Sequence, residues 1–315
     1  MDTDQRLDAL VAPLRADVVS GASVIGKMAA EVLRLAAQDA RAVSLEEFRS
    51  ELGEVCGKVL DAQPAMATLV TLVGDLLTSV EASEDLETGR LAAVRTAEAF
   101  GSGLESRAES VATRASALIP SGATVATISY SSTVLATLTH EGTWAVGQVI
   151  CFESRPMREG ETLATALAEV GVAVTFAVDA AASTLMGECD IVLLGADSIG
   201  DLGVVNKIGS AGLVDAAIRR GVPVMVVSDE TKILPTGFPQ HLTDDRPPEE
   251  VWRAPAGVRV WNQYFESFEL ERVTMVVTES DALTAPEVEK LRKDIVLPTG
   301  LLAWADARAP GPPEV

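Results

Sequence analysis

The sequence predicts an α/β protein: a helical N-terminal domain followed by a Rossmann-like, doubly wound parallel sheet. Three observations carry that reading. Residues 1 to 118 place apolar side chains at spacings of three and four, the period of helices with one buried face. After Pro120-Ser121-Gly122, short β-branched runs alternate with helical stretches, the pattern of βαβ units with right-handed crossovers. Polar and charged residues then recur at the carboxyl ends of those runs, where open parallel sheets collect their ligands.

In the first third, helices are expected over 23–38, 44–60, 65–80 and 86–117, punctuated by Gly21, Pro64 and Gly101–Gly103. Gly101-Ser102-Gly103 lacks the third glycine and preceding strand of a dinucleotide fingerprint and reads as a helix break. Strands follow at Thr124–Ser129, Ala145–Glu153, Val172–Asp179, Ile191–Asp197, Val222–Asp229 and Arg272–Glu279. Helices are expected between them near 132–139, 161–170, 181–188, 208–220 and 285–294. Residues 236–258, rich in Pro, Asp and Glu, read as a surface excursion, and Ala309–Val315 as a disordered tail. The domains are therefore set at 1–118 and 119–308, with the tail at 309–315.

The chain has 315 residues, 48% of them hydrophobic, which is ample for a large core. No apolar run reaches the roughly 18 residues of a membrane span. The acidic start MDTDQRLDAL lacks the layout of a signal peptide, so a cytoplasmic protein is expected. A net charge of −21, with six lysines among 25 basic residues, argues against direct contact with nucleic acid or an anionic membrane. The acidity fits either a salt-rich cytoplasm or a GC-rich genome. Cys56, Cys151 and Cys189 are scattered, no CxxC pair exists, and His140 and His241 are the only histidines, which argues against a structural zinc site.

The strand ends supply the candidate site. In order they are Ser129-Tyr130-Ser131-Ser132, Glu153-Ser154-Arg155-Pro156, Asp179, Asp197 and Asp229-Glu230-Thr231-Lys232. Several carboxylates in one sheet, with Arg155 and Lys232 beside them, suit a polar ligand. Asp197, at the end of an apolar run, is either a general acid or a cap on the following loop. Asn206-Lys207 reads as the start of the helix from Ile208, which suits a phosphate or sugar hydroxyl, or else a plain Asn cap with a solvated Lys.

Gly195-Ala196-Asp197-Ser198-Ile199 with Asn206-Lys207-Ile208-Gly209 resembles a sugar-phosphate isomerase family. That family holds ribose-1,5-bisphosphate isomerase, methylthioribose-1-phosphate isomerase and the alpha, beta and delta regulatory subunits of translation initiation factor 2B. Glu153-Ser154-Arg155-Pro156 with Gly160, Val178-Asp179-Ala180-Ala181 and Glu230-Thr231-Lys232 extend the match over about residues 120–280. The resemblance implies a helical domain beside a Rossmann-like domain, and a homodimer or higher homo-oligomer formed through the latter. For the enzymes it implies ring opening of a 1-phosphorylated pentose and aldose-to-ketose conversion, with proton transfers by a Cys and an Asp. No metal or organic cofactor is implied. Asp197 takes the Asp position, and Gly21, Ala22, Ser132, Glu153, Arg155, Asn206, Lys207 and Lys232 are the ligand-binding positions.

The chain departs from the enzymes where their Thr-His-Cys stands, since it has Ser129-Tyr130-Ser131. A thiol, with a pKa of about 8.5, exchanges protons near neutrality. The hydroxyl of Ser131 does not do so readily without a base. Cys151, near a neighbouring strand end, is the one other thiol to weigh, and its alternation points to a buried residue. The enzymes' phosphate-binding Arg before Gly-Ala is Ser20 here, and a second Arg-Pro is Gln63-Pro64, which removes two bidentate phosphate donors. The expectation is a protein that binds a phosphorylated sugar or nucleotide with altered or absent catalysis. The alternatives are an active isomerase using Asp197 with Ser131, and a purely structural assembly subunit.

Overall fold

The computed structural model describes residues 3–17, 21–140, 146–240, 242 and 246–307. The expected tail, Ser20 and His241 lie outside them. The chain divides into two compact units: a helical unit of Met1–Ser106, Thr231–His241 and Arg292–Val315, and an α/β unit of Arg107–Glu230 and Leu242–Leu291.

The helical unit begins with α1 (Thr3–Ala16), α2 (Ala22–Asp39), α3 (Leu45–Ala62), α4 (Ala67–Glu81) and α5 (Leu86–Ser116), the last continuing into the α/β unit. Leu33, Phe48, Leu52, Val59, Leu69, Leu72 and Leu76 are fully buried and form its centre. α3 starts on a capping device written in the sequence: Ser44 Oγ accepts from the Glu47 amide at 3.2 Å, and Glu47 reaches back to the Val43 amide at 2.9 Å. The break expected at Gly101–Gly103 does not occur, and α5 runs unbroken through it. The glycine there serves close packing: a Cβ on Gly101 would lie 3.3 Å from the Cβ of Ala30 on α2.

The α/β unit contains β1 (Ala123–Ile128), α6 (Ser132–Thr139), β2 (Val146–Phe152), α7 (Gly160–Glu169), β3 (Val174–Ala177), α8 (Ala182–Leu185), β4 (Ile191–Leu194), β5 (Ser198–Gly200), β6 (Gly203–Lys207), α9 (Ser210–Arg220), β7 (Val224–Val227), β8 (Phe265–Phe268), β9 (Met275–Val277) and β10 (Ala282–Leu283). Among the described residues, seven strands form one sheet in the order β10-β9-β7-β4-β1-β2-β3. All neighbours are parallel except β10, which turns back on β9. The six expected strands are all present, each ending shortly before the residue expected at its tip, which is Ser129 for β1 and an acid for the other five. Every residue of β4 and β7 is buried, as a strand covered on both faces requires. One face packs Val125, Val149, Leu193 and Met225 against Val134 and Leu138 of α6 and Leu163 and Leu167 of α7.

The sequence reading missed a second sheet. β5, β6 and β8 form an antiparallel sheet in the order β5-β6-β8. Its strands are three to five residues long, and β6 finds β8 far along the chain, so no local pattern announces it.

Replacing Gly101 with Leu is expected to lower stability by about 1–2 kcal/mol, because overpacking outweighs the gain in helix propensity. Urea unfolding should show this for Gly101→Leu and not for the exposed neighbour Ser102→Ala.

Candidate active site

The sheet order reverses between β1 and β4, since β2 continues to one side of β1 and β7 to the other side of β4. The loops leaving β1 and β4 therefore border the crevice in which open α/β sheets bind ligands. These loops carry Ser131 and Asp197. Ser129, just after β1, has φ of 68°, a left-handed conformation that a serine adopts at a cost of about 1–2 kcal/mol. The chain then turns so that Ser131 caps α6, its Oγ accepting from the Val134 amide at 3.3 Å. A Cβ on Gly195 would fall 2.8 Å from that same Oγ. Glycine at 195 thus lets the Ser131 hydroxyl pack against the loop that holds Asp197.

Asp197 is half-buried and leads into a hairpin rather than a helix. Its amide donates to the Val205 carbonyl at 2.9 Å, and the pairing of Ser198 with Val205 sets Asp197 beside Asn206. The expectation that Asn206-Lys207 opens a helix is corrected: both end β6, and α9 begins at Ser210 after Gly209 at φ of 100°. Two amide groups at this helix start are already occupied, since Gly209 N and Ala211 N donate to Glu266 Oε1 at 2.7 and 2.8 Å. Asn206 is 8% exposed and donates its amide to Ser210 Oγ at 2.9 Å, and Ser210 Oγ donates to the Lys207 carbonyl at 2.6 Å. The Lys207 ammonium lies 2.5 Å from Glu159 Oε1 and faces the rings of Tyr264 and Phe265.

The loop after β2 is the third wall. Ser154, fully buried at φ of 63°, has a hydroxyl with no hydrogen-bond partner among the described residues. Asp179 is structural: its two oxygens accept from the Ser154 and Arg155 amides, both at 2.7 Å, and so shape this loop. Glu153 lies 3.8 Å from the Arg158 guanidinium, while Arg155 is exposed and donates to the Val251 carbonyl at 3.1 Å. Gly160 closes the loop through its amide to the Glu153 carbonyl at 3.2 Å, and a Cβ there would lie 2.1 Å from the Phe152 carbonyl oxygen. Cys151 is fully buried, its thiol directed at the Gly160 carbonyl and its pKa pushed up to about 12 by desolvation. It is no substitute for the missing thiol.

Ser131, Asp197, Asn206, Lys207 and the loop from Glu153 to Gly160 thus gather at one sheet edge, with Ser132 exposed at the head of α6. Asp229 and Glu230 leave β7 farther along that sheet, beside Glu279, whose carboxyl is shifted upward by burial and by those two charges. Gly21, Ala22 and Lys232 belong to the helical unit. Gly21 is the N-cap of α2, whose start has neither a side-chain cap nor an acidic first turn, and Ala22 is buried there. Gln63 donates its amide to the Leu14 and Asp17 carbonyls at 2.8 and 2.7 Å, closing the end of α1. Lys232 is 7% exposed, in a turn whose Thr231 carbonyl accepts from Thr71 Oγ1 at 2.8 Å. Sequence reasoning missed Glu159, Glu266 and Tyr264. Glu159 stood inside the Glu153-to-Gly160 motif, whereas the other two enter through the unforeseen sheet.

The Initiation factor 2 subunit family matches residues 18–285 of this chain. Ribose 1,5-bisphosphate isomerase of Haloferax volcanii is 31% identical over 230 residues, 72% of this chain and 70% of that protein. Methylthioribose-1-phosphate isomerase of Pelotomaculum thermopropionicum is 30% identical over 303 residues, 88% of this chain and 82% of that protein. The crystal structure of translation initiation factor eIF-2B from Pyrococcus horikoshii OT3 superposes with a TM-score of 0.76 at 25% identity, covering 90% of this chain and 98% of that one.

Tyr264 generates a pH prediction. Burial first, then its hydrogen bond to Glu250, raises its pKa from 10.0 to about 12. The folded state holds this proton more tightly than the unfolded chain, so the stabilisation is complete below pH 10 and lost as pH rises towards 12. In denaturant melts wild type should lose stability relative to Tyr264→Phe over that interval, and in Tyr130→Phe the remaining phenol should titrate near the upper end.

Proposed function

The chain belongs to the Initiation factor 2 subunit family, and we propose that it binds a 1-phosphorylated pentose at the β1/β4 edge of its α/β unit, with proton transfer altered by serine at position 131. The observation that carries this reading is the contact through Gly195, which puts the Ser131 hydroxyl against the loop of Asp197. Asp197 acts as the acid/base that serves the ring oxygen and the carbons exchanging the carbonyl. Asn206 and Lys207 contact the sugar phosphate, with Glu153, Arg155 and Ser132 at the rim. Gln63, engaged with the α1 carbonyls, does not replace the family's guanidinium. The protein acts as a homodimer or higher homo-oligomer in the cytoplasm and needs no metal or organic cofactor.

A second reading, an active aldose–ketose isomerase, is favoured by the retention of Asp197, Asn206 and Lys207 together. Its weak point is chemical: the Ser131 hydroxyl holds its proton far more tightly than a thiol, and no histidine flanks it.

Thermal shift and product analysis with ribose 1,5-bisphosphate and methylthioribose 1-phosphate separate the readings. The proposal expects stabilisation by at least one of them and little ketose product. Ser131→Cys should raise turnover by about 100-fold, the lower end of what a well-placed acid or base contributes. Asp197→Asn should abolish the product made by Ser131→Cys while leaving ligand stabilisation in place. Rapid wild-type conversion that disappears in Asp197→Asn establishes the isomerase instead, and no stabilisation by either sugar phosphate removes both readings.

A further inference from the structure

We infer that Tyr264, fastened by Glu250, is a positioning residue that together with Glu159 holds the Lys207 ammonium in the orientation in which it meets the sugar phosphate. The inference rests on the ligand role proposed above for Lys207.

Lys207 ends β6 opposite Phe265 of β8, and the Ile208 amide donates to the Tyr264 carbonyl at 2.8 Å. The ammonium is thereby brought 4.8 Å from the Tyr264 ring centroid and 5.1 Å from that of Phe265, while it donates a hydrogen bond to Glu159 Oε1 at 2.5 Å. Tyr264 is 3% exposed, so its ring attracts the cation with little competition from water. Its hydroxyl donates to Glu250 Oε2 at 2.8 Å, and the same oxygen accepts from Asn262 Nδ2 at 2.8 Å. Asn262 also donates to the Pro247 carbonyl at 2.8 Å, tying the clamp to the Pro-rich excursion. A phenol bonded to a carboxylate is richer in π density than a free one. The ring holds a second cation as well, with the Arg246 guanidinium carbon 4.4 Å from its centroid.

A ring that merely filled space would need neither the carboxylate nor two cations. Among the described residues, the groups facing Lys207 are Glu159 from the loop after β2, the Phe265 ring of β8 and the Tyr264 ring just before it, with Glu250 and Arg246 acting on it through Tyr264. Glu159 fixes the distance of the ammonium and the rings fix its direction. The segment 246–264 thus reaches the site through Tyr264.

The test is acetylation of the full-length protein at one fixed pH, with the rate at Lys207 read by mass spectrometry and exposed Lys293 as internal reference. Tyr264→Leu and Glu159→Gln should each raise labelling of Lys207 by about tenfold, the scale of a desolvated cation–π or ion-pair contact. Tyr264→Phe, which keeps the ring, should restore most of the protection. Titration with ribose 1,5-bisphosphate should then weaken in Tyr264→Leu and largely recover in Tyr264→Phe. If Tyr264→Leu does not fold, Glu250→Gln takes its place and should raise labelling by about twofold. Unchanged labelling of Lys207 in the folded variant overturns the inference. Raised labelling in a protein that binds no sugar phosphate leaves the clamp standing and removes the function proposed for the site.

Discussion

The missing side chain of Gly195 is the constraint on which the site depends. β1 and β4 are neighbours, and their exits diverge at the point where the strand order reverses. With any side chain at 195, the β4 loop and the Ser131 side chain would compete for one volume. With glycine, the hydroxyl packs directly on the backbone, and the hairpin that follows carries Asp197 to the side of Asn206. Lys207 comes next on the same strand, and Glu159 meets it from the loop after β2. Each later contact inherits its position from that first approach.

Most of the architecture was legible because it is local or periodic. The helices of the first third and the six parallel strands announce themselves by spacing alone, and the family motifs lie on the strand exits. What was illegible has two physical causes. The β6–β8 pairing joins residues 58 to 64 positions apart, from Lys207 with Phe265 to Val204 with Phe268, and no short window along the chain contains both partners. Asn206-Lys207, followed by a glycine and a helical pattern, therefore looked like a helix start when it is a strand end. The glycines of α5 failed differently: the sequence marks a place without a side chain but does not say whether the backbone bends or a neighbour approaches. Ala30 supplies the answer, and it is a tertiary one.

The hidden sheet also changes what the site can offer an anion. A helix start with a nearby lysine invites a phosphate, but here Glu266 already takes the Gly209 and Ala211 amides at the start of α9. The lysine is likewise engaged with Glu159. Positive charge at this edge is thus already matched by internal carboxylates. Arg155 is similarly committed to a carbonyl. Asn206, Lys207 and Arg155 are engaged, whereas the Ser154 hydroxyl has no hydrogen-bond partner among the described residues.

Two of the strand exits end in serines with left-handed backbones, Ser129 and Ser154. The second is also wholly buried, with a hydroxyl lacking a hydrogen-bond partner among the described residues. Glycine would relieve the backbone at both positions and would remove the orphaned hydroxyl at 154. In evolutionary terms these are sites where selection for thermal robustness and selection for a fixed loop shape point in opposite directions. Glycine would release conformations that a serine forbids, and with them the single course that carries Ser131 and Glu159 to the same edge. A lineage pressed only for stability would drift away from this loop geometry at these two residues first.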